Sequence, residues 1–409
     1  MICLVLAITM FVSAKASSWD DARGIAMAGS YTAVARGYNS IGYNPANLAL
    51  PDRPGTAIQL IGIGSGLTNN AFSISDYKKY NGAFLSEADK NDILQKIPAE
   101  GLEFRGTSAA SVLSFSTGPI AVSASAQASG KGIVSKDVFE IALFGNKLGE
   151  TIEIDDADAE GVVHLDVNLA YGRRVKTFDW GELTAGINLK YIRGLAYVEV
   201  TEALATATTL PEGINGDGSV IVKSALGGSG YGLDLGAAAT YGGNWTFSAG
   251  LDNLVSSINW NKETRENAYT YELSSLTTET ADEDSSVSSD DVERDIAPFS
   301  TSLAPQLNLG ASHPLGRFLL AADLKLGLAN RAGVTTRPEI SLGAEYSGLS
   351  FLPLRGGIGV GGVRGTSLGL GAGLRLSSFF IDFAWASSGT LLPGIGRGGA
   401  VALSSGLSF

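Results

Sequence analysis

Two glycine-framed motifs hold the residues that would do chemistry if this chain were an enzyme. Gly365-Thr366-Ser367-Leu368-Gly369 has the spacing of a nucleophile elbow. That device lifts a serine on a tight strand-to-helix turn and needs a histidine as base later in the chain. A strand-like stretch follows here, and both histidines, His164 and His313, precede Ser367. Gly357, Gly359 and Gly362 have the spacing of a dinucleotide-binding turn, which requires a helix to receive the pyrophosphate; again a strand pattern follows. The histidines lie far apart and form no H-x-x-x-H pair. Asp155, Asp156 and Asp158, or Asp282 to Asp284, could bridge a divalent cation. They lack EF-hand spacing and read as solvated acidic loops. The chain is therefore expected to be no enzyme, with no cofactor and no metal site.

Composition narrows the class further. Of 409 residues, 17% are charged and 44% apolar, yet beyond the N-terminus no run reaches the 18 apolar residues of a transmembrane helix. The net charge of −12 argues against nucleic acid, whose phosphates need concentrated Lys and Arg. Glycine, at 53 residues, is nearly twice the usual ~7% without a collagen period.

The elements that must position any site follow a period of two. Val163, Leu165, Val167, Leu169 and Tyr171 alternate with His164, Asp166, Asn168, Ala170 and Gly172. The same alternation runs through 182–192, 231–241, 245–252, 318–326 and 379–385. A soluble sandwich also alternates. The ten-residue segments and the Tyr, Trp or Phe at their apolar ends favour a membrane barrel, which leaves no unpaired edge in lipid.

Fourteen strands are expected, near 54–65, 104–116, 119–129, 161–173, 180–199, 229–241, 244–259, 298–312, 317–328, 337–347, 350–361, 366–376, 378–386 and 398–409. Connections after even strands are short. Those after odd strands are mostly long (66–103, 130–160, 200–228, 260–297, 329–336, 387–397), with 362–365 a short exception. Short periplasmic turns alternating with long outer loops is the rule for such barrels. Both mature termini are then periplasmic.

Ile2 to Val12 has the length of a signal-peptide apolar core, and Ala14-Lys15-Ala16 supplies a cleavage site. Residues 1–16 are read as an export signal rather than a short buried helix. Cys3, the one cysteine, leaves with it, and losing Lys15 takes the charge from −12 to −13. The last strand, apolar at Val401, Leu403, Leu407 and Phe409, resembles the C-terminal signal by which outer-membrane barrels reach their assembly machinery; Phe409 is its aromatic end.

With apolar faces toward lipid, the lumen receives His164, Asp166, Lys190, Asp234, Asp252, Asp323, Lys325, Glu339, Glu345, Arg355, Arg375 and Asp382. Mixed signs point to an ion-paired or hydrated interior, because unpaired charges there would be too costly. The other inward residues are mostly Gly, Ala or Ser, which leaves room for a plug.

Residues 17–52 break the period and supply that plug, ahead of a barrel spanning 53–409. The stretch Ala22-Arg23-Gly24-Ile25-Ala26-Met27-Ala28-Gly29-Ser30-Tyr31-Thr32-Ala33, followed by Asn44-Pro45-Ala46, resembles the N-terminal segment of the FadL/TodX long-chain fatty acid transporters. PorV-type barrels open similarly. The resemblance covers about 30 residues and implies 14 strands, an N-terminal hatch, and hatch roles for Asn44, Pro45 and Ala46. Asn and Pro also favour turns for backbone reasons alone, so a turn tying plug to wall explains them equally. The implied function is passive uptake of hydrophobic or amphipathic small molecules gated by the plug. The alternative is a non-transporting scaffold or secretion accessory acting through its outer loops. A leaky porin is opposed by the plug.

One departure from the transporters stands out. Loops 130–160 and 260–297 carry net −5 and −8, together the whole mature charge, and 279–295 is expected to be disordered. Loop 66–103 suits capture better. A helix is expected from Ser86 through Lys96, preceded by Tyr77, Tyr80 and Phe84, which could equally pack that helix onto the rim.

Overall fold

The computed structural model describes residues 21–155, 157–277, 286–392 and 395–409. The expected leader, the first four hatch residues, Asp156 and Asp282 to Asp284 lie outside the described residues. Nineteen strands run among those described. They are β1 (Thr56–Asn69), β2 (Leu102–Thr117), β3 (Ile120–Val134), β4 (Thr151–Ile154), β5 (Asp158–Phe178), β6 (Gly181–Leu210), β7 (Gly213–Ala225), β8 (Gly228–Tyr241), β9 (Trp245–Trp260) and β10 (Arg265–Leu276). Then come β11 (Val287–Asp295), β12 (Phe299–Thr301), β13 (Gln306–Leu315), β14 (Phe318–Gly327), β15 (Glu339–Tyr346), β16 (Leu354–Gly361), β17 (Ser367–Leu376), β18 (Phe379–Ser388) and β19 (Gly398–Ser408).

Fourteen strands build the wall, in the order β1, β2, β3, β5, β6, β8, β9, β13, β14, β15, β16, β17, β18, β19, each antiparallel to the next. β19 returns to β1 with Ala57 opposite Ser408, and closure leaves the fourteen-stranded wall without an edge. All fourteen expected strands are present.

Burial along the wall inverts what water selects. In β5, Leu165, Val167, Leu169 and Tyr171 are exposed, while Asp166 and His164 are each 1% exposed. Large apolar side chains outside and carboxylates inside suit a wall with lipid around it. Phe178, Trp180 and Tyr241, then Trp245 and Phe247, and Phe318 against Tyr346, cluster at the short-turn end, where an interfacial girdle belongs.

Several expectations need correction. Segments 200–228 and 260–297, read as loops, hold β7, β10 and β11 and the upper part of β6. Val287–Asp295, expected to be disordered, is a strand on β10. Backbone pairing builds it, although all nine of its residues are exposed. The expected strand 298–312 is two, because the ladder on β9 stops at Thr301 opposite Ile258 and resumes at Gln306 opposite Asp252. Pro305 has no N–H to donate in that gap. His313 and Pro314, read as a turn, lie inside β13, and His313 stacks on Trp245 with ring centroids 4.5 Å apart.

Residues 21–50 run inside this wall and are almost wholly buried. Asp21 caps a one-turn helix, α1 (Ala22–Ala26), by accepting from the Arg23 N–H. Two short 3-10 helices follow, Gly37–Gly42 and Pro45–Ala49.

Candidate functional site

Wall glycines make room for the inner segment. Gly172, Gly186, Gly236 and Gly250 stand opposite one another across β5, β6, β8 and β9. A Cβ at Gly236 would overlap the Asn44 side chain, and one at Gly186 the backbone of Pro45 and Ala46. A second aligned row, Gly343, Gly357 and Gly369, crosses β15, β16 and β17. There a Cβ would meet Met27 or the backbone of Ile25 to Ala28. Each row lets inner backbone lie directly on the wall. Neighbouring strands repeat glycine on the lumen side, and that in-register repeat is the signal sequence reading missed.

Polar pairs then fix the segment in place. Asn44 accepts from the Ala46 N–H at 2.9 Å, capping the turn that Pro45 opens. Its Nδ2 donates to the Ala237 carbonyl at 2.8 Å and to Ser248 Oγ at 2.7 Å. Ser248 donates in turn to Asn47 Oδ1 at 2.7 Å. Asp323 accepts from the Tyr31 and Thr32 N–H groups at 3.1 and 2.9 Å. Ser30 donates to Ser341, and Ser312 to the Ala33 carbonyl.

The twelve residues expected in the lumen fall into two groups. Seven surround the inner segment. Glu345 pairs with Arg23 at 3.0 Å and with Arg355 at 2.5 Å. Arg355 continues to Asp382 at 2.7 Å, and Arg375 reaches Asp382 at 2.9 Å. Glu339 pairs with Arg364 at 2.9 Å, whose guanidinium also donates to the Ala28 carbonyl. Lys325 lies over the Tyr43 ring, and Asp323 holds the backbone described above. The other five lie on β5, β6, β8 and β9 in separate pairings. His164 bonds Asp166 at 2.8 Å; Lys190 bonds Asp234 at 2.8 Å and Asn253 at 2.7 Å; Asn308 donates to Asp252 at 2.8 Å. All of these charges meet a partner or a ring, the condition for holding them out of water.

A second obstruction comes from the connection between β14 and β15, expected to be an outer loop. It folds inward, with Ala332 and Val334 buried. The Arg105 guanidinium of β2 donates to the Arg331 carbonyl at 3.0 Å and to Asn330 at 2.8 Å. Glu160 of β5 accepts from the Ala332 N–H at 2.8 Å and pairs with Arg331. Arg23, Arg105, Glu160, Ser248 and Arg364 were not singled out by sequence. Between this loop and the inner segment lies a cavity of about 70 Å³, lined by Ile25, Tyr43, Val334 and Val363 together with Lys325, Glu339 and Arg364. A cavity of about 150 Å³ can hold benzene, and this one is about half that size.

In the loop after β1, two helices, α2 (Ile74–Tyr80) and α3 (Glu87–Lys96), each begin with a Ser–Asp capping box. Phe84 is 99% exposed and Tyr77 65%. Tyr80 instead donates to Asp92 of α3 and lies under Lys79 and Lys96. The hydrogen bonds from Lys96 and Tyr80 hold the Asp92 carboxyl at about 2. A further helix, α4 (Lys136–Phe144), follows β3. The Phe409 side chain is exposed, while its carbonyl accepts from Gly55 and its N–H donates to Thr56, fastening β19 to β1. Ser367 opens a strand, not a helix.

Solved structures share this architecture. The toluene transporter TbuX of Ralstonia pickettii aligns with TM-score 0.54 at 14% identity, over 95% of this chain and 98% of that one. CymD, a monoaromatic hydrocarbon channel, gives 0.53 at 13%, over 95% and 97%. A Pseudomonas aeruginosa FadL homologue gives 0.51 at 13%, over 97% and 100%. At such identity the likeness establishes the fold, a FadL-type barrel. No curated protein matches in sequence. Residues 45–382 match the profile of a family of unknown function, DUF5723, and the chain belongs to that family.

Proposed function

We propose that this chain is an outer-membrane barrel, with both mature termini in the periplasm, that passes hydrophobic or amphipathic small molecules inward when residues 21–50 shift. The lining of the cavity above that segment carries this reading. It sets Ile25, Val334 and Val363 beside Lys325, Glu339 and Arg364, a surface suited to a solute with an apolar body and a polar end. Its small size means that passage needs movement of the inner segment, of the 328–338 loop, or of both. Hydrogen bonds and ion pairs hold the segment; a neutral hydrogen bond is worth about 1 kcal/mol net and one to a charged group about 1.5–3 kcal/mol. Asn44, Pro45 and Ala46 form its hinge on the wall, and exposed Tyr77 and Phe84 would meet solute first.

The transporters named above share the fold, and their hydrocarbon cargo supports a similar class here. Surrounding lipid and the barrel-assembly machinery are the partners this reading requires. Deleting residues 17–46 should give a folded barrel with raised planar-bilayer conductance, and wild type should admit a hydrophobic solute into liposomes. If only the deletion admits it, the transport reading gives way to a non-transporting scaffold. The outer sheet built on β6 favours that second reading, because it enlarges the surface a partner could meet.

A further inference from the structure

Above the wall, β6 pairs with β4 and β7, β7 with β10, and β10 with β11. The result is a five-stranded outer sheet. Among the described residues its last strand, β11, pairs with β10 alone. One row of its backbone N–H and C=O groups therefore faces outward without a strand to receive it. Every residue of β11 is exposed. Of its four carboxylates, Glu293 and Asp295 pair with Arg265 of β10 at 2.9 and 3.9 Å, its one cation, Arg294, is held by Glu266, and Asp290 and Asp291 lie outside those pairs.

The same sign continues across the sheet. Glu153, Thr206, Asp217, Glu272 and Ser288 stand opposite one another in a single cross-strand row, so they share one face. Asp290 lies two residues along β11 on that face. These residues line a concavity of about 900 Å³ whose described lining contains no lysine or arginine.

We propose that β11 is a docking edge for an extended, lysine- or arginine-rich segment of a partner protein, which adds to the outer sheet as its next strand. Backbone pairing would supply affinity and charge would supply selection. In an added strand, alternate side chains fall beside Asp290 on one face and beside Asp291 and Glu293 on the other. Alternate cations of the added strand share one face, so they meet Asp290 or Asp291 and Glu293 according to register. A second copy of this chain is disfavoured, because like charges placed directly opposite destabilise a strand pair. Edge charge that bars self-assembly thereby selects a basic strand.

The test uses the full chain in nanodiscs and a fluorescein-labelled ten-residue peptide of alternating Lys and Thr. A second peptide has the same side chains with N-methyl groups on alternate backbone nitrogens, and a third has Glu in place of Lys. Anisotropy should show binding of the first peptide, at least ten-fold weaker binding of the second, and none of the third. The variant D290K/D291K should lose at least ten-fold for the first peptide. Equal binding of the N-methylated peptide reduces the edge to plain charge attraction and overturns the proposal. So does absence of binding by the first peptide. The N-methyl comparison needs only wild type, so it stands even if the variant misfolds.

Discussion

Asn44 of the inner segment donates to Ser248 of β9 at 2.7 Å, and the same hydroxyl donates to Asn47 at 2.7 Å. One wall serine thus joins the cap of the Pro45 turn to its third residue. Asn44→Ala removes both the cap and the wall contact, and should loosen the turn by about 1–2 kcal/mol. The expected outcome is more frequent opening in single-channel recordings, with an unchanged heat-modifiable barrel band. A variant as quiet as wild type would show that this hinge does not gate.

Gly236→Ala should have a similar effect from the wall side. Its new Cβ would occupy the place of Asn44 Oδ1, so the turn must move while β8 keeps its pairing. Because both changes act on one contact, the double variant Gly236→Ala/Asn44→Ala should open little more than either single one. Simple addition of the two effects would separate the glycine row from the turn.

How much of this was legible in the sequence depends on what each face touches. His164 to Tyr171 could be read because lipid and a polar lumen impose opposite demands on alternate residues. β11 could not, because both its faces meet water and Val287–Asp295 carries no apolar stripe. Asn44-Pro45 announces a turn by itself. Its partner Ser248 is one of many serines on lumen faces, and only three-dimensional register selects it. The inward fold of the β14–β15 connection depends on Arg105 and Glu160, more than 170 residues away, which local patterning cannot join.

That connection yields a labelling test. Cys3 is the one cysteine of the sequence, so Ala332→Cys in a Cys3→Ser background is a single probe at a buried position. It should react slowly with a membrane-impermeant maleimide. Adding Arg105→Ala removes the donors to Asn330 and Arg331 and should raise the rate at least ten-fold. No acceleration would mean that Glu160 alone holds the loop.

Acid should release the outer helices before the wall. Asp92 is held at about 2, below its ordinary 3.8, by hydrogen bonds from Lys96 and Tyr80. Ionised Asp92 therefore contributes stability above 3.8, and that contribution is lost as pH falls toward 2. Amides of residues 87–96 should stay protected, relative to their intrinsic exchange rate at each pH, at pH 4 and lose that protection near pH 2. Asp92→Asn should already exchange fast at pH 5. Unchanged exchange in that variant would remove Asp92 as the clasp.

Arg355 and Arg23 both reach Glu345, yet they should behave oppositely when removed. Arg355 belongs to the wall and is fully buried between Glu345 and Asp382. Arg355→Met leaves two carboxylates close together with only the outer cations, Arg23 and Arg375, to balance them. Breaking a buried network in this way costs about 3 kcal/mol or more, so the barrel's thermal midpoint should fall. Arg23 belongs to the inner segment, and Arg23→Met leaves Glu345 paired with Arg355. That variant should keep the midpoint and raise conductance, because only α1 loses its tie to β15. A lower midpoint for Arg23→Met than for Arg355→Met would mean that the segment is a structural strut of the barrel, not a movable closure.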